Sequence, residues 1–402
     1  MSSWLRGIGT AVPEHHIGQA AAAKLVSPFN ADSEEQCRVL RELYRRTGVR
    51  RRHSVVLDSS DAPSDANGRA DSSDRPEFSP ASLSSDQPRQ SLYQQPNEQQ
   101  PVGPTTAERM RRYEDHAGTL AAAASRRAFA TAGIESADVT HLVTVSCSGF
   151  HAPGFDIELL QTVGLSPAVA RTHVGFMGCH GALNGLRVAD AFLRSDSAAC
   201  VLLCCVELCS VHHQYGWAPH RIVSNALFAD GAAAVVLTAN QPDDRSSFSV
   251  RRSPFPGSCW RLLASGSVVL PETRADMGWR IRDHGFEMTL SARVPDLIRQ
   301  HLRGWLSEWL TSRSLRLEEI GSWAIHPGGP RILSAAGEAL GLRREQWSTS
   351  EAVLGEYGNM SSPTILFILD RLSREASASP CVALAFGPGL TIEAALLELS
   401  FE

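Results

Sequence analysis

The chain has 402 residues, 43% hydrophobic and 20% charged, with a formal net charge of −5 at pH 7. That is enough chain for a large core, while the acidic balance gives no electrostatic footprint for nucleic acid and no apolar run reaches membrane-spanning length. Nine cysteines, none in C-x-x-C pairs at metal spacing, suit small buried hydrophobes in a reducing compartment. The opening "MSSWLRGIGTAVPEHHIGQ" has no apolar signal region. A soluble cytoplasmic protein with no metal site and no cofactor is expected.

In chain order, "LRELYRRTGVRRRH" (Leu40–His53) concentrates basic side chains, either as a solvated face or as a contact for an anionic ligand. Residues 58–105 are dense in Ser, Asp, Pro and Gln and poor in aliphatics, so this stretch reads as a mostly disordered surface insertion without core contacts. A helix opens at about Thr106. Strands follow over Val139–Cys147, in "AACVLLCCVEL" and over Asp230–Ala239, with a helix through "CHGALNGLRVADAFL" between the first two. Beyond about Phe248 come a helix ("VPDLIRQHLRGWLSEWL"), a strand running into a loop ("GSWAIHPGGP"), two further helices ("RILSAAGEAL" and one beginning near "GNMSSPTILFILDRL") and a closing strand pair. This alternation argues an α/β architecture, and the element order divides it into halves at 1–240 and 241–402.

Three residues stand where chemistry is usually placed. Cys179 lies at the start of a helical run, where free backbone N–H groups and the helix dipole favour thiolate. His326 stands where a buried strand runs out into a Gly-rich loop, and Asn359 just before an apolar helix. Each alone is more often structural. Together they suit acyl chemistry, with Cys as acyl acceptor and His and Asn as donors to a thioester carbonyl oxygen.

"GFMGCHGALNGLR", "NALFADGAAAVVL", "WAIHPGGPRIL", "YGNMSSPTILFIL" and "AFGPGLTIE" together resemble the type III polyketide synthases, the chalcone and stilbene synthase family. The resemblance implies a thiolase-like five-layer αβαβα fold from two related halves, a homodimer, and extension of a coenzyme A-activated starter by malonyl-CoA without carrier protein or metal. It implies that Cys179 holds the growing chain, that His326 and Asn359 bind the malonyl thioester oxygen, and that Phe228 is the gatekeeper between coenzyme A tunnel and cavity. Gly387, Pro388 and Gly389 correspond to a loop shaping the cavity wall. Arg46 matches a coenzyme A-binding basic position, with Arg41 or Arg45 standing in for others lost at Val39 and Glu42, and Gly328 and Gly329 adjoin the same ligand.

By the same alignment Cys147, Ala152, Cys209, His212, Trp279 and Met288 line the starter and cyclisation region. Cys209 and Ala152 are smaller than the plant family's Thr and Met, which points to a channel for an aliphatic starter and an alkylpyrone or alkylresorcinol product. Trp279, in place of a small Gly, fills space instead. A tetrahydroxynaphthalene-type synthase working from malonyl-CoA alone remains open, since such enzymes share the Cys209 feature. A ketoacyl synthase III, which has "HQAN" rather than "HPGGP", and a non-catalytic scaffold are the remaining alternatives.

Overall fold

The computed structural model describes residues 3–58, 89–98, 101–239 and 258–401. The expected boundary at 240/241 and most of the proposed insertion lie outside these residues.

The long helix Thr106–Ala132 starts where the sequence predicts. Its entry is a capping box, in which the Thr105 side chain accepts from the Glu108 N–H and the Glu108 carboxylate accepts from Thr105; Gly133, left-handed at φ 64°, ends it. It lies against the first strand, Ser3–Ala11. A Cβ on Gly9 would stand 2.2 Å from the Ala124 carbonyl oxygen and one on Gly7 2.4 Å from the Ala132 nitrogen. Only glycine permits that approach of strand to helix.

Nine strands join in one mixed sheet. Outward from Ser3–Ala11 the neighbours are Asp230–Thr238, Cys200–Leu208, His141–Ser146 and Ala170–Gly175. On the other side they are Ser258–Val269, Thr391–Phe401, Cys381–Gly387 and Ser322–Ile325. Pairing is antiparallel near the centre and becomes parallel toward both edges, between Cys200–Leu208 and His141–Ser146 and between Cys381–Gly387 and Ser322–Ile325. Antiparallel pairing therefore gives way to parallel in each direction, after two pairings on one side of Ser3–Ala11 and after three on the other.

Strand alternation assigns the layers. Val143, Val145, Leu203 and Val235 from one side, with Ala383, Ala385 and Leu397 from the other, pack around the helices Gly181–Ser195 and Thr364–Arg374. The opposite faces pack on Thr106–Ala132 and Phe155–Val163 at one end, and on Val294–Thr311 and Pro330–Leu340 at the other. Helix, half-sheet, helix pair, half-sheet, helix, the two halves being continuous through the central strands, is the five-layer arrangement the resemblance implies. The two central helices carry Cys179 and Asn359 at their N-terminal approaches.

One expectation fails at the edge of the Ser/Asp-rich stretch. Arg89–Gln90 pairs with Leu57–Asp58 as a short ribbon, and Tyr93 is buried against Phe29 and Tyr215. Its hydroxyl donates to the Ser210 carbonyl at 2.6 Å. Composition over the whole stretch hid one aromatic anchor, so its described segment 89–98 makes a core contact through Tyr93. The buried Cys204 and Cys205, by contrast, are the small hydrophobes expected.

Candidate active site

Cys179 sits in a tight 3-10 turn, Gly178–His180, and the α-helix itself opens at Gly181. The turn depends on Gly178, left-handed at φ 69°, where a Cβ would also press on Pro388 at 2.8 Å. At Gly387 a Cβ would stand 2.1 Å from the His180 ring. Gly178 and Gly387 therefore let the nucleophile's turn and the 387–389 loop meet. The strand Ser322–Ile325 runs parallel to Cys381–Gly387 and delivers His326 at its end, where the His326 N–H donates to the Leu384 carbonyl at 2.8 Å. His326 is 1% exposed, and neither ring nitrogen has a hydrogen-bond partner.

Asn359 is held on both sides. Its N–H donates to the Leu227 carbonyl and its carbonyl accepts from Ala229, both at 2.9 Å, which ties it to the segment carrying Phe228. Its side-chain Oδ1 accepts from the Ser361 N–H at 2.8 Å, an Asx turn that holds Ser361 left-handed at φ 56°. With the oxygen committed, the amide Nδ2 is the end left to donate toward Cys179, whose thiolate form it favours. Cys179, His326, Asn359, Phe228 and Gly328 line one small cavity of about 20 Å³.

Burial dominates the electrostatics. Desolvation pushes the Cys179 thiol up to about 11, outweighing the hydrogen bonds from Ser361 and Asn359 that favour thiolate. The low thiol pKa anticipated from a helix start is therefore not found in the unliganded site. Desolvation likewise takes the His326 imidazole down to about 3. The site thus presents a thiol and a neutral imidazole with one N–H to donate.

A second chamber, about 30 Å³, adjoins the first; Cys179, Phe228, Met277 and Met288 line both, and Cys147, Cys209, Gly178, Trp279, Ser361 and Pro388 complete it. Trp279 donates its indole N–H to the Cys147 carbonyl at 2.7 Å. His212 accepts at Nδ1 from the Phe286 N–H at 3.0 Å, so its Nε2 carries the proton and donates to the Ser148 carbonyl at 2.6 Å. It stacks on Phe286 and is neutral, driven by burial to about 3. His212 lines a third chamber rather than the two at Cys179.

Ala152 does not join them. The loop after His141–Ser146 turns out at the sheet edge, and Ala152 is exposed in a separate groove with Phe150, Arg171 and His173. Within one chain it lines no cavity near Cys179; the position it corresponds to in the family reaches across a dimer. Arg46 is exposed on the helix Glu34–Arg46 and, with Arg45, is paired to Glu42, whose carboxylate they hold down at about 2. Gly329, at φ 147°, precedes the helix Pro330–Leu340.

Sequence reasoning overlooked Ser361 and Glu207. Ser361 contacts both Cys147, Sγ to Oγ 3.4 Å, and Cys179. Glu207, 0% exposed, accepts from the N–H groups of Cys147 and Ser148 and from the hydroxyls of Ser148 and Ser362. The signal was available, since Glu207 is the one acidic residue inside the apolar run "AACVLLCCVEL".

The fold is that of the thiolase-like condensing enzymes. The crystal structure of PKS-I from the brown alga Ectocarpus siliculosus superposes with a TM-score of 0.81 at 30% identity, over 99% of this chain and 98% of that one. The sequence matches the chalcone and stilbene synthases' N-terminal domain over residues 87–241 and their C-terminal domain over residues 261–400. "Alpha-pyrone synthesis polyketide synthase-like Pks18" of Mycobacterium tuberculosis is 30% identical over 399 residues, 98% of this chain and 91% of that protein. The 1,3,6,8-tetrahydroxynaphthalene synthase of Streptomyces peucetius subsp. caesius is 32% identical over 395 residues, 97% and 91% of the two chains. The chain belongs to the chalcone and stilbene synthase family, the type III polyketide synthases, and is an acyltransferase of polyketide synthesis that uses coenzyme A thioesters.

Proposed function

We propose that Cys179 accepts an aliphatic acyl group from its coenzyme A thioester and that the enzyme extends it with malonyl-CoA to an alkylpyrone or alkylresorcinol. The observation that carries the chemistry is the cavity shared by Cys179, His326 and Asn359, with the Asn359 amide nitrogen turned to the sulfur. A thiol at about 11 is a poor nucleophile. Transfer of its proton to the unpartnered His326 creates both charges together, and their attraction offsets the desolvation that opposes either ion alone. The thiolate attacks the acyl carbonyl, and the coenzyme A thiol leaves with the proton held on His326. Malonyl-CoA then loses carbon dioxide. The electron pair of the broken C–C bond becomes an enolate whose oxygen accepts from His326 and Asn359. Its carbon attacks the Cys179 thioester, forming the new C–C bond and releasing the Cys179 thiolate.

Phe228 stands between the outer and inner chambers, as a gatekeeper would, and the 387–389 loop forms the wall behind Cys179. Arg45 and Arg46, two guanidiniums on one carboxylate, leave positive charge for coenzyme A phosphates. The exposed Phe150, Phe176 and Met177 near Ala152 suit a homodimer interface, which would turn Ala152 toward the partner. Light scattering should then give twice the chain's mass. Among the described residues no helix is long and apolar enough to cross a membrane and no cysteine is joined in a disulfide, which fits a reducing cytoplasm.

Incubation with malonyl-CoA and a panel of acyl-CoAs, read by mass spectrometry, tests the reading. Aliphatic tri- and tetraketides are expected. Tetrahydroxynaphthalene from malonyl-CoA alone would favour the second reading, which the similarity to the Streptomyces enzyme supports.

His326→Gln isolates the proton transfer. With no imidazole to take the proton, alkylation of Cys179 by iodoacetamide at pH 7 should slow at least tenfold. It should then climb about tenfold per pH unit toward pH 11, tracking the thiolate fraction. A rate at pH 7 equal to the parent's would remove His326 from that role.

A further inference from the structure

The two chambers touching Cys179 are small. A water-sized group needs roughly 10–15 Å³ of such space, so volumes of about 20 and 30 Å³ hold two or three groups each. An aliphatic starter does not end there. The third chamber, about 90 Å³, shares Cys209, Phe228, Trp279 and Met288 with the second, and holds roughly six to nine groups by the same measure. Of the residues that line it without touching the inner chambers, some are polar and already bonded, Arg52 to the Asn225 and Phe228 carbonyls and Gln90 to the Tyr93 backbone, and part of its apolar side comes from two places away from the catalytic residues. The helix Gln19–Asn30 supplies Ala22, Leu25, Val26 and Phe29, and the segment beyond residue 88 supplies Tyr93.

This outer wall is apolar and rigid. Phe29 stacks on Tyr215 at 5.1 Å and packs against Tyr93 at 6.3 Å. The Tyr93 hydroxyl donates to the Ser210 carbonyl, accepts from the His213 N–H at 3.1 Å and lies 3.4 Å from the Arg109 guanidinium. His213, the polar ring in this cluster, is kept neutral by burial at about 3, with Asn30 Oδ1 2.8 Å from its Nε2. With its polar atoms committed to one another, this wall presents hydrocarbon and aromatic faces to the cavity. Such a wall suits methylene groups rather than a phenol or a carboxylate.

We propose that the third chamber receives the tail of an unbranched saturated acyl starter, and that the wall formed by Val26, Phe29 and Tyr93 sets the longest chain accepted. The inference rests on the Cys179-bound aliphatic starter proposed above. Counting from the thioester through the second and third chambers gives an optimum at roughly eight to twelve carbons. Chain length is thus measured by an N-terminal helix and by the far end of the Ser/Asp-rich stretch, not by the residues beside the nucleophile.

The test compares kcat/KM for dodecanoyl- and hexanoyl-CoA, each with malonyl-CoA, and identifies products by mass. Val26→Phe narrows the chamber and should lower the dodecanoyl-to-hexanoyl ratio tenfold or more. Tyr93→Leu opens the wall and should move the optimum longer by two or more carbons. The two changes act in opposite directions, so loss of folding in either leaves the other decisive. A ratio within twofold of the parent in a folded Val26→Phe, or an unmoved optimum in a folded Tyr93→Leu, overturns the chamber assignment alone. Absence of any condensation by the parent enzyme with every starter would instead overturn the proposed function.

Discussion

Cys179→Ala should reduce polyketide formation by about 10³-fold or more, because it removes the atom to which starter and growing chain are bonded and leaves no alternative covalent route. The fold should persist. Cys179 is not a packing anchor but one small group in a turn shaped by Gly178, so the circular dichroism spectrum and oligomeric state should match the parent. Cys179→Gln should behave differently. Its amide carbonyl stands where the thioester carbonyl of the loaded enzyme would be, and Asn359 and His326 remain free to hold the malonyl thioester oxygen. Decarboxylation needs only those donors, so this variant should release carbon dioxide from malonyl-CoA while forming no product. Measuring labelled acetyl-CoA and carbon dioxide separates the two steps. A folded Gln variant that releases neither would count against the donor roles of His326 and Asn359, even if the alanine variant is inactive as expected.

How far the sequence reaches is clearest at these three residues. The motifs around Cys179, His326 and Asn359 announce element ends, and the structure brings those ends to one cavity. The layers were legible too, because the continuous apolar runs "CVLLCCVEL" and "DGAAAVVLT" and the helical spacing elsewhere are local signals. What failed has a common cause. The ionisation of Cys179 depends on how much water reaches it, which follows from packing across the whole chain; burial outweighs the helix-start effect. Tyr93 disappeared in a polar stretch because composition averages over a window and a single aromatic anchor does not move the average. Its partners, Ser210, His213 and Phe29, are 117, 120 and 64 positions away in the chain.

Glu207 gives the second large effect, on stability rather than on a chemical step. Its carboxylate is the acceptor on which the segments holding Cys147 and Ser362 converge. Oε2 accepts from the Cys147 and Ser148 N–H groups at 3.0 Å each and from the Ser148 hydroxyl at 2.6 Å, and Oε1 accepts from the Ser362 hydroxyl at 2.6 Å. The Ser148 hydroxyl cannot turn away, because its oxygen already accepts from the Leu208 N–H at 2.8 Å. Glu207→Ala leaves two backbone N–H groups and two hydroxyls buried without an acceptor, each unmet donor costing about 1–3 kcal/mol before any cavity is counted. Partial relaxation and water entry recover some of that, so a loss of about 3–5 kcal/mol is expected, read as a lower midpoint in urea unfolding. Glu207→Gln should cost only about 1 kcal/mol. Its amide oxygen takes the Oε2 position and keeps the three donors there, including the Cys147 N–H that also lies 3.2 Å from Oε1, while its NH₂ faces the Ser362 hydroxyl, which can rotate to accept. The contrast tests geometry rather than charge. If the glutamine variant is destabilised as much as the alanine one, the negative charge itself is what those donors require, and the acceptor arrangement described for Glu207 is wrong.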